Sequence, residues 1–329
     1  MILVNGSKGI GTGFSTDIMC YNPITIIDYL VNSLNNNIEK PTLMPYYEHF
    51  KGSIIKLTES KWLFKGCYER TGKKEIRVTE LPIGTWTDDY KKYIEDIIDG
   101  NKTTKGKKKS TTVKDYNDMS TDIVVDITII FSSENKLDEM LNKKVDEHCN
   151  ELEKLLRLYT TKTTTNMHLF DENEKLKKFK TPMDIIEYYI KIRLNTYVIR
   201  KKYLIKILEH DTKILINKVN FIREILNNTL DLRNKKKIDI CNILKDKKYD
   251  IIDDDNDYKY LIRLPMDSVS EENIKTLEKN KDLKVKELNK LIKTKETDIW
   301  LSELDNLKNE LIRFLDNKSN VKVKSKSKS

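Results

Sequence analysis

Cysteine is scarce in this chain of 329 residues: Cys20, Cys67, Cys149 and Cys241 stand far apart, with no CxxC pair and no cluster among the 4 histidines. That scatter excludes a zinc ribbon and a disulfide framework, and it points to a reducing, intracellular compartment. Long apolar runs are missing too, as is a charged leader with an apolar core, so the sequence gives no signal peptide and no membrane span. The hydrophobic fraction is only 38% while charged residues reach 34%. Long solvent-exposed helices satisfy such a composition better than a rounded globule, so an elongated molecule is expected.

What the chain has in excess is positive charge. The formal net charge is +9, with lysine far outnumbering arginine. An excess of that size favours a polyanionic partner, although an AT-rich genome would also raise lysine, asparagine and isoleucine. The excess is uneven: Lys102–Lys109 and Lys322–Ser329 are basic, whereas Asp250–Asp257 is acidic. The length allows two structural units.

Ile2, Leu3 and Val4 read as a strand entering a glycine-dense loop with Gly6, Gly9, Gly11 and Gly13. Asn22 then offers an N-cap and Pro23 a first helical residue, ahead of Ile26, Ile27, Leu30, Val31 and Leu34. From Gly52 to Ile130 period-two stretches at Ser53–Leu57, Trp62–Tyr68, Glu75–Leu81 and Ile123–Phe131 predict a β-rich region, broken by one helix near Thr87–Ile98. Asn101–Lys114 has almost no apolar anchor and is expected to be a mobile basic loop. Helical spacing resumes over Leu137–Leu156 and becomes long after Thr181, where Pro182 opens a stripe of Ile186, Tyr189, Tyr197, Leu204, Leu208, Leu215, Val219, Ile222 and Leu226. So narrow a stripe must lean on a partner. A helix opened by Ser268 or Ser270, with Ile274, Leu277, Val285, Leu288, Leu291 and Ile292, supplies a returning, antiparallel one, and a small helical cap over Leu230–Pro265 joins the two. Trp300–Leu315 can close the base of that arm, and beyond Asn317 the Lys, Ser and Val repeats predict disorder.

The glycine run excludes two phosphate-binding loops. A Walker loop needs Gly-Lys followed by Ser or Thr, and Lys8 is followed by Gly9; a dinucleotide fingerprint needs GxGxxG, and Gly9, Gly11 and Gly13 give GxGxG. Dense glycine lets backbones approach closely and offers N–H groups to phosphate, which leaves Ile10 with little to pack on unless it anchors the loop in the core. With Tyr21-Asn22-Pro23 following, the stretch Ile2–Gly13 resembles the type IIA DNA topoisomerases. Pro45-Tyr46-Tyr47-Glu48-His49-Phe50-Lys51-Gly52, Thr79-Glu80-Leu81-Pro82-Ile83-Gly84-Thr85-Trp86-Thr87 and Tyr258–Glu272 extend the resemblance to about Leu315. Without the family, these blocks read as structure: Pro82 ends a strand, Thr87 caps a helix and Trp86 packs.

The resemblance implies that Ile10 wedges between base pairs and bends the duplex, as apolar wedges do. It also implies DNA contacts from Lys8 and from Arg157, Leu158, Tyr159, Thr160, Thr161, Lys162, Thr163, Thr164, Thr165 and Asn166, a segment whose hydroxyls and amides suit phosphates and sugars rather than base edges. A polar edge strand is the alternative for the threonines. His168 reads as a strand residue. The implied fold is α+β: residues 1–40 as the end of a winged helix, 41–180 as a mixed tower domain, 181–316 as a coiled-coil arm with an exit-gate dimerisation cap, and 317–329 as a basic tail.

The nucleophilic tyrosine, its neighbouring arginine and the magnesium-binding Asp-x-Asp of that family have no counterpart among these residues, and Asp253–Asp257, without the glycine and glutamate of an EF-hand, read as a solvated loop. The expected role is therefore the DNA-binding and exit-gate portion of an ATP-dependent type II topoisomerase, inactive in isolation. It holds no cofactor or metal of its own, and the holoenzyme uses Mg²⁺ and ATP. Its expected partners are duplex DNA, a second copy through the exit gate, and an N-terminal topoisomerase portion; its expected compartment is the nucleus or a viral replication site. A broken reading frame, an engineered piece or the product of a naturally split gene would each account for such a chain. The competing reading is a non-enzymatic, coiled-coil architectural DNA-binding protein.

Overall fold

The computed structural model describes residues 1–37, 41, 43–99, 112–253, 255–265 and 271–326. The chain divides into two compact units, Met1–Tyr29 with Glu39–Ile186 and Leu30–Ile38 with Glu187–Ser329.

The first unit opens with a helical turn, α1 (Ile2–Asn5), where an apolar triplet predicted a strand. The amides of Val4 and Asn5 both bond to the Met1 carbonyl, and Leu3 turns inward to 6% exposure. The glycine-dense segment is likewise not a loop: β1 (Ser7–Gly11) and β2 (Phe14–Ile18) form an antiparallel hairpin. Helix α2 (Pro23–Leu34) follows, and the Asn22 side chain accepts the Ile24 amide at 2.9 Å, the expected N-cap.

The β-rich region holds β3 (Ser53–Thr58), β4 (Lys61–Lys65), β5 (Cys67–Arg70) and β6 (Glu75–Glu80), followed by α3 (Thr87–Asp99), β7 (Val113–Asp118) and β8 (Ile127–Phe131). The run Trp62–Tyr68 thus belongs to two strands, and Ile123 lies outside β8 at 85% exposure. Val113 and Lys114, assigned by composition to the basic loop, begin β7, while 100–111 lie outside the described residues. Thr87 is the first helical residue rather than a cap, and Trp86 does not pack: it is 76% exposed. One four-stranded sheet runs β5-β6-β8-β7. Its inner face, with Ile76, Val78, Ile127 and Ile129 at 0%, packs with Ile94 of α3 into the main core of this unit.

The single helix expected over Leu137–Leu156 is two, α4 (Glu134–Asn142) and α5 (Glu151–Leu155). Asp146 turns the chain between them by accepting the amides of His148 and Cys149, and Asn150 restarts it through a reciprocal capping box with Glu153. Glu153, only 6% exposed, is neutralised by Lys65 at 2.8 Å, and Lys65 also donates to the His148 carbonyl at 2.7 Å. Strand β9 (Tyr159–Thr163) ends the sheet β3-β4-β9, and β10 (Met167–Phe170) with β11 (Leu176–Phe179) form a second hairpin.

Helix α6 (Pro182–Leu226) is 45 residues long. Its start is a capping box, the Thr181 hydroxyl accepting the Asp184 amide while the Asp184 carboxylate accepts that of Thr181. In the second unit α7 (Lys237–Asp246) and α8 (Lys259–Ile262) form the small helical cap, closed by Phe221, Ile222, Leu230, Leu244, Tyr258 and Leu261. Helix α9 (Glu271–Lys293) returns antiparallel: Arg223, late in α6, bonds Glu278, early in α9, and Lys201, early in α6, donates to the Thr294 carbonyl just beyond α9. The last helix, α10 (Glu296–Lys326), seats Trp300 flat on Tyr197 at 5.5 Å and edge-on to Tyr189 at 6.1 Å. Its backbone is helical to Lys326, past Asn317 where disorder was expected. Helical hydrogen bonds are made within the segment and need no core behind them. Residues 327–329 lie outside the description.

Two outcomes follow from these contacts. Thr181→Ala should lower stability by about 1 kcal/mol in urea unfolding, the worth of an N-cap. Lys65→Met should cost more, roughly 3 kcal/mol, because it strands a buried carboxylate; a loss no larger than that of Thr181→Ala would show that Glu153 is solvated after all.

Candidate nucleic-acid interface

The β1–β2 hairpin depends on two glycines. Gly6 ends α1 at φ 69°, where a Cβ would lie 2.8 Å from the Ile18 carbonyl oxygen, and Gly13 turns the hairpin at φ 87°. The ladder pairs Lys8 with Asp17 and Ile10 with Ser15. Ile10 is 90% exposed, so it does not anchor the hairpin in the core, and Lys8 is exposed as well.

The second expected contact segment, 157–166, is an edge strand with a strained entrance. Arg157 stands at φ 49°, a left-handed conformation unusual for a residue with a side chain. Its guanidinium lies over the Tyr93 ring, 3.9 Å from the centroid, and among the described residues it has no carboxylate partner. Tyr93 is fixed in turn, its hydroxyl donating to the Leu155 carbonyl at 2.6 Å. Strand β9 pairs only with β4, which leaves one edge outside the sheet, with Thr161 and Thr163 exposed. The Thr160 hydroxyl donates to the Ile83 carbonyl at 3.0 Å, and the Lys162 ammonium lies 5.9 Å from the Tyr47 ring centroid.

Not all of the segment faces outward. Leu158 is fully buried in the main core and Thr164 is 6% exposed, so the side chains of these two are removed from the candidate contacts. Strand alternation turns Leu158 inward although its neighbours are polar. Conversely, Trp86 was missed as a surface residue. It borders a groove of about 280 Å³ shared with Asp89, Tyr93, Arg157, Tyr159 and Thr160. The signal for it was its place just before a helix start, where a side chain is not required to turn inward.

These two segments meet. The Asn166 amide donates to the Ser15 hydroxyl at 2.7 Å, the Asp17 backbone N–H donates to the Asn166 carbonyl at 2.8 Å, and the His168 ring Nδ1 lies 2.9 Å from the Ser15 carbonyl and 3.0 Å from the Asn166 Oδ1. Both neighbours of Nδ1 are acceptors, so this nitrogen carries the proton. The hairpin bearing Ile10 is thus joined to the end of the threonine run, although the two are separated by about 150 positions.

The buried phenols behind this surface are not activated. Burial pushes the Tyr47 hydroxyl up to about 12, with Cys20 adding to the shift, and burial likewise raises Tyr21 and Tyr90. Burial also raises the Cys20 thiol, against an opposing pull from Lys162. All four are neutral near pH 7. Among the described residues no three carboxylate, histidine or cysteine groups converge as metal ligands. The acidic loop is taken up by its own contacts: Asp253 meets His210 at 3.1 Å, Asp255 accepts the Lys259 amide at 2.8 Å, and Asp257 bonds Lys237 at 2.5 Å. The described residues therefore do not fit a magnesium or nucleotide site. No described helix is long and apolar enough to cross a membrane.

Known proteins with this pattern are consistent in kind. Residues 1–305 match the DNA gyrase/topoisomerase IV family model, which describes the A chain type of those enzymes. DNA topoisomerase 2 of Arabidopsis thaliana is 32% identical over 350 residues, covering 94% of this chain and 23% of that protein. DNA topoisomerase 2 of Acanthamoeba polyphaga mimivirus is 31% identical over 363 residues, with 93% and 28% covered. The crystal structure of the Plasmodium falciparum topoisomerase II DNA-binding, cleavage and re-ligation domain superimposes with a TM-score of 0.81 at 32% identity, covering 97% of this chain and 45% of that one. The chain thus spans about a quarter of the full-length relatives, and over that span it belongs to the DNA gyrase/topoisomerase IV family, as a relative of the type II DNA topoisomerases.

Proposed function

We propose that this chain binds and bends duplex DNA as the DNA-gate and exit-gate portion of an ATP-dependent type II topoisomerase, with the nucleophilic tyrosine, Mg²⁺ site and ATPase residing in topoisomerase portions it does not cover. The observation that carries the reading is the junction at Asn166. It makes one surface of an exposed apolar finger, Ile10, and a polar, cation-flanked edge strand, the combination that wedging and phosphate contact require. Lys8, Arg157, Tyr159, Thr160, Thr161, Lys162, Thr163, Thr165 and Asn166 are the proposed backbone contacts. Residues 1–40, 41–180 and 181–316 are the proposed winged-helix end, tower and coiled-coil arm, with a second copy docking through the arm's helical cap. The nucleus or a viral replication compartment is the proposed location. The curated relatives favour this reading over a purely architectural protein, since each bears a topoisomerase name.

Ile10→Ala should leave affinity for a duplex within a few-fold while reducing its bend in a fluorescence-transfer assay; an undiminished bend removes the wedge. Reversing charge at Arg157 and Lys162 should weaken binding on every sequence and lower the slope of log affinity against log salt by about two. Purified together with a polypeptide carrying the ATPase, Asp-x-Asp and tyrosine portions, the chain should support Mg²⁺- and ATP-dependent relaxation of supercoiled plasmid. No relaxation by that pair, given a folded partner, defeats the enzymatic reading.

A further inference from the structure

The β10–β11 hairpin carries four lysines in six positions, Lys175, Lys177, Lys178 and Lys180, and the sequence pattern assigned them no role. Alternation along a strand puts Lys178 and Lys180 on one side and Lys175 and Lys177 on the other. The second pair is engaged elsewhere: the Lys177 ammonium lies 5.5 Å from the Phe179 ring centroid, and the Lys175 amide joins the turn by donating to Asp171 at 2.8 Å. Lys178 and Lys180 are exposed, and among the described residues neither has a carboxylate within ion-pairing distance.

The ladders fix where this pair stands. Ile10 is opposite Ser15, the Ser15 carbonyl is bonded by His168, and His168 is opposite Lys178, so the four form one row across two hairpins. Facing residues of an antiparallel pair share a side of their sheet, so Ile10 with Ser15 and His168 with Lys178 each point together. Three strand spacings of about 4.8 Å separate the ends of the row, on the order of 14 Å. At about 3.4 Å per base pair that is roughly four steps along a duplex.

Charge orients the hairpin as well. Its turn holds Asp171, Glu172 and Glu174, and accepting the backbone N–H of Lys175, then that of Asn173, holds the Asp171 carboxyl below the usual carboxylate range. The acidic end therefore points away from a polyanion, and the end joined to the Ile10 hairpin faces it.

We propose that Lys178 and Lys180 are a further phosphate-binding pair, gripping the duplex backbone about four base pairs from the Ile10 wedge. The inference rests on the DNA-binding reading above. Lysine suits this task, because a point charge on a flexible stem holds a backbone without reading its sequence.

The test is the salt dependence of binding of the full chain to a fluorescent 30-base-pair duplex, followed by anisotropy. Lys178→Ala/Lys180→Ala should lower the slope of log affinity against log salt by nearly two, since each phosphate contact contributes about 0.9. The charge-matched Lys175→Ala/Lys177→Ala should lower it by less than half as much. A slope equal to wild type in the first variant, or an equal fall in both, overturns the proposal. Should the alanine pair fail to fold by circular dichroism, Lys178→Gln/Lys180→Gln decides in its place. Arg157→Ala/Lys162→Ala separates the two claims: if that pair lowers the slope while Lys178→Ala/Lys180→Ala does not, only the hairpin proposal fails, and if the wild-type chain does not bind the duplex, both fail.

Discussion

Asn166 uses its side-chain amide, its side-chain oxygen and its backbone carbonyl on three different partners, and the surface assigned to DNA depends on their all being made at once. Each such bond contributes only about 1 kcal/mol net, so the junction does not hold the two hairpins together by strength. Burial does that. Ile18 and Met19 on one side and Met167 on the other are at most 3% exposed, and they flank the polar junction. The apolar residues supply the attraction, and Ser15, Asn166 and His168 convert it into a single register. With the backbone fixed from behind, Ile10 can stand at 90% exposure without the hairpin collapsing around it.

The same division of labour explains Arg157. A left-handed residue with a side chain costs on the order of 1 kcal/mol or more, and it persists only where its surroundings over-determine it. Leu156 and Leu158, both fully buried, fix the backbone on either side, and stacking on Tyr93 offsets part of the strain by roughly 0.5–1 kcal/mol. The product is a guanidinium held outward with its charge uncancelled. Close behind it lies the opposite solution, where Glu153 and Lys65 are both largely withdrawn from water and neutralise each other. Charges with a structural role are thus paired and buried, and those assigned to a polyanion are neither.

Where a feature is set by a few adjacent residues it was legible in sequence. The caps at Asn22 and Thr181 were readable because a capping side chain reaches only two or three positions along. The long α6 and its return by α9 were readable because apolar spacing persists over many turns. Features decided by distant partners were not. Ile2–Asn5 is helical because its amides fold back on Met1, and an apolar triplet alone does not distinguish that from a strand. Strand β7 carries Asp115, Asn117 and Asp118, which hide its period, and only pairing with β8 makes it a strand. Leu158 looked like part of a polar contact segment because its burial is set by helix α5 and the β6–β8 sheet. Candidate residues, then, could be named from motifs, but the junction that unites them was invisible, since nothing near Ser15 in sequence announces Asn166.

The second unit shows what a polar, lysine-rich chain must do to stay folded. A stripe one side chain wide along α6 cannot bury itself, and it is covered piecemeal rather than by one partner. Phe221 and Ile222 are sealed by the cap, Arg223 is tied to α9, and Tyr197 is enclosed by Trp300, with Arg193 and Arg200 over its ring. Glu303 accepts from both the Tyr197 hydroxyl and Arg200, so the last of these contacts is also charge-balanced. Separate anchors at separate heights fix the axial position of each helix, which a uniform apolar seam would leave free to slide. That is a useful property in a helix pair assigned to an arm, because a bending load at one end can reach the other only if the helices keep their register.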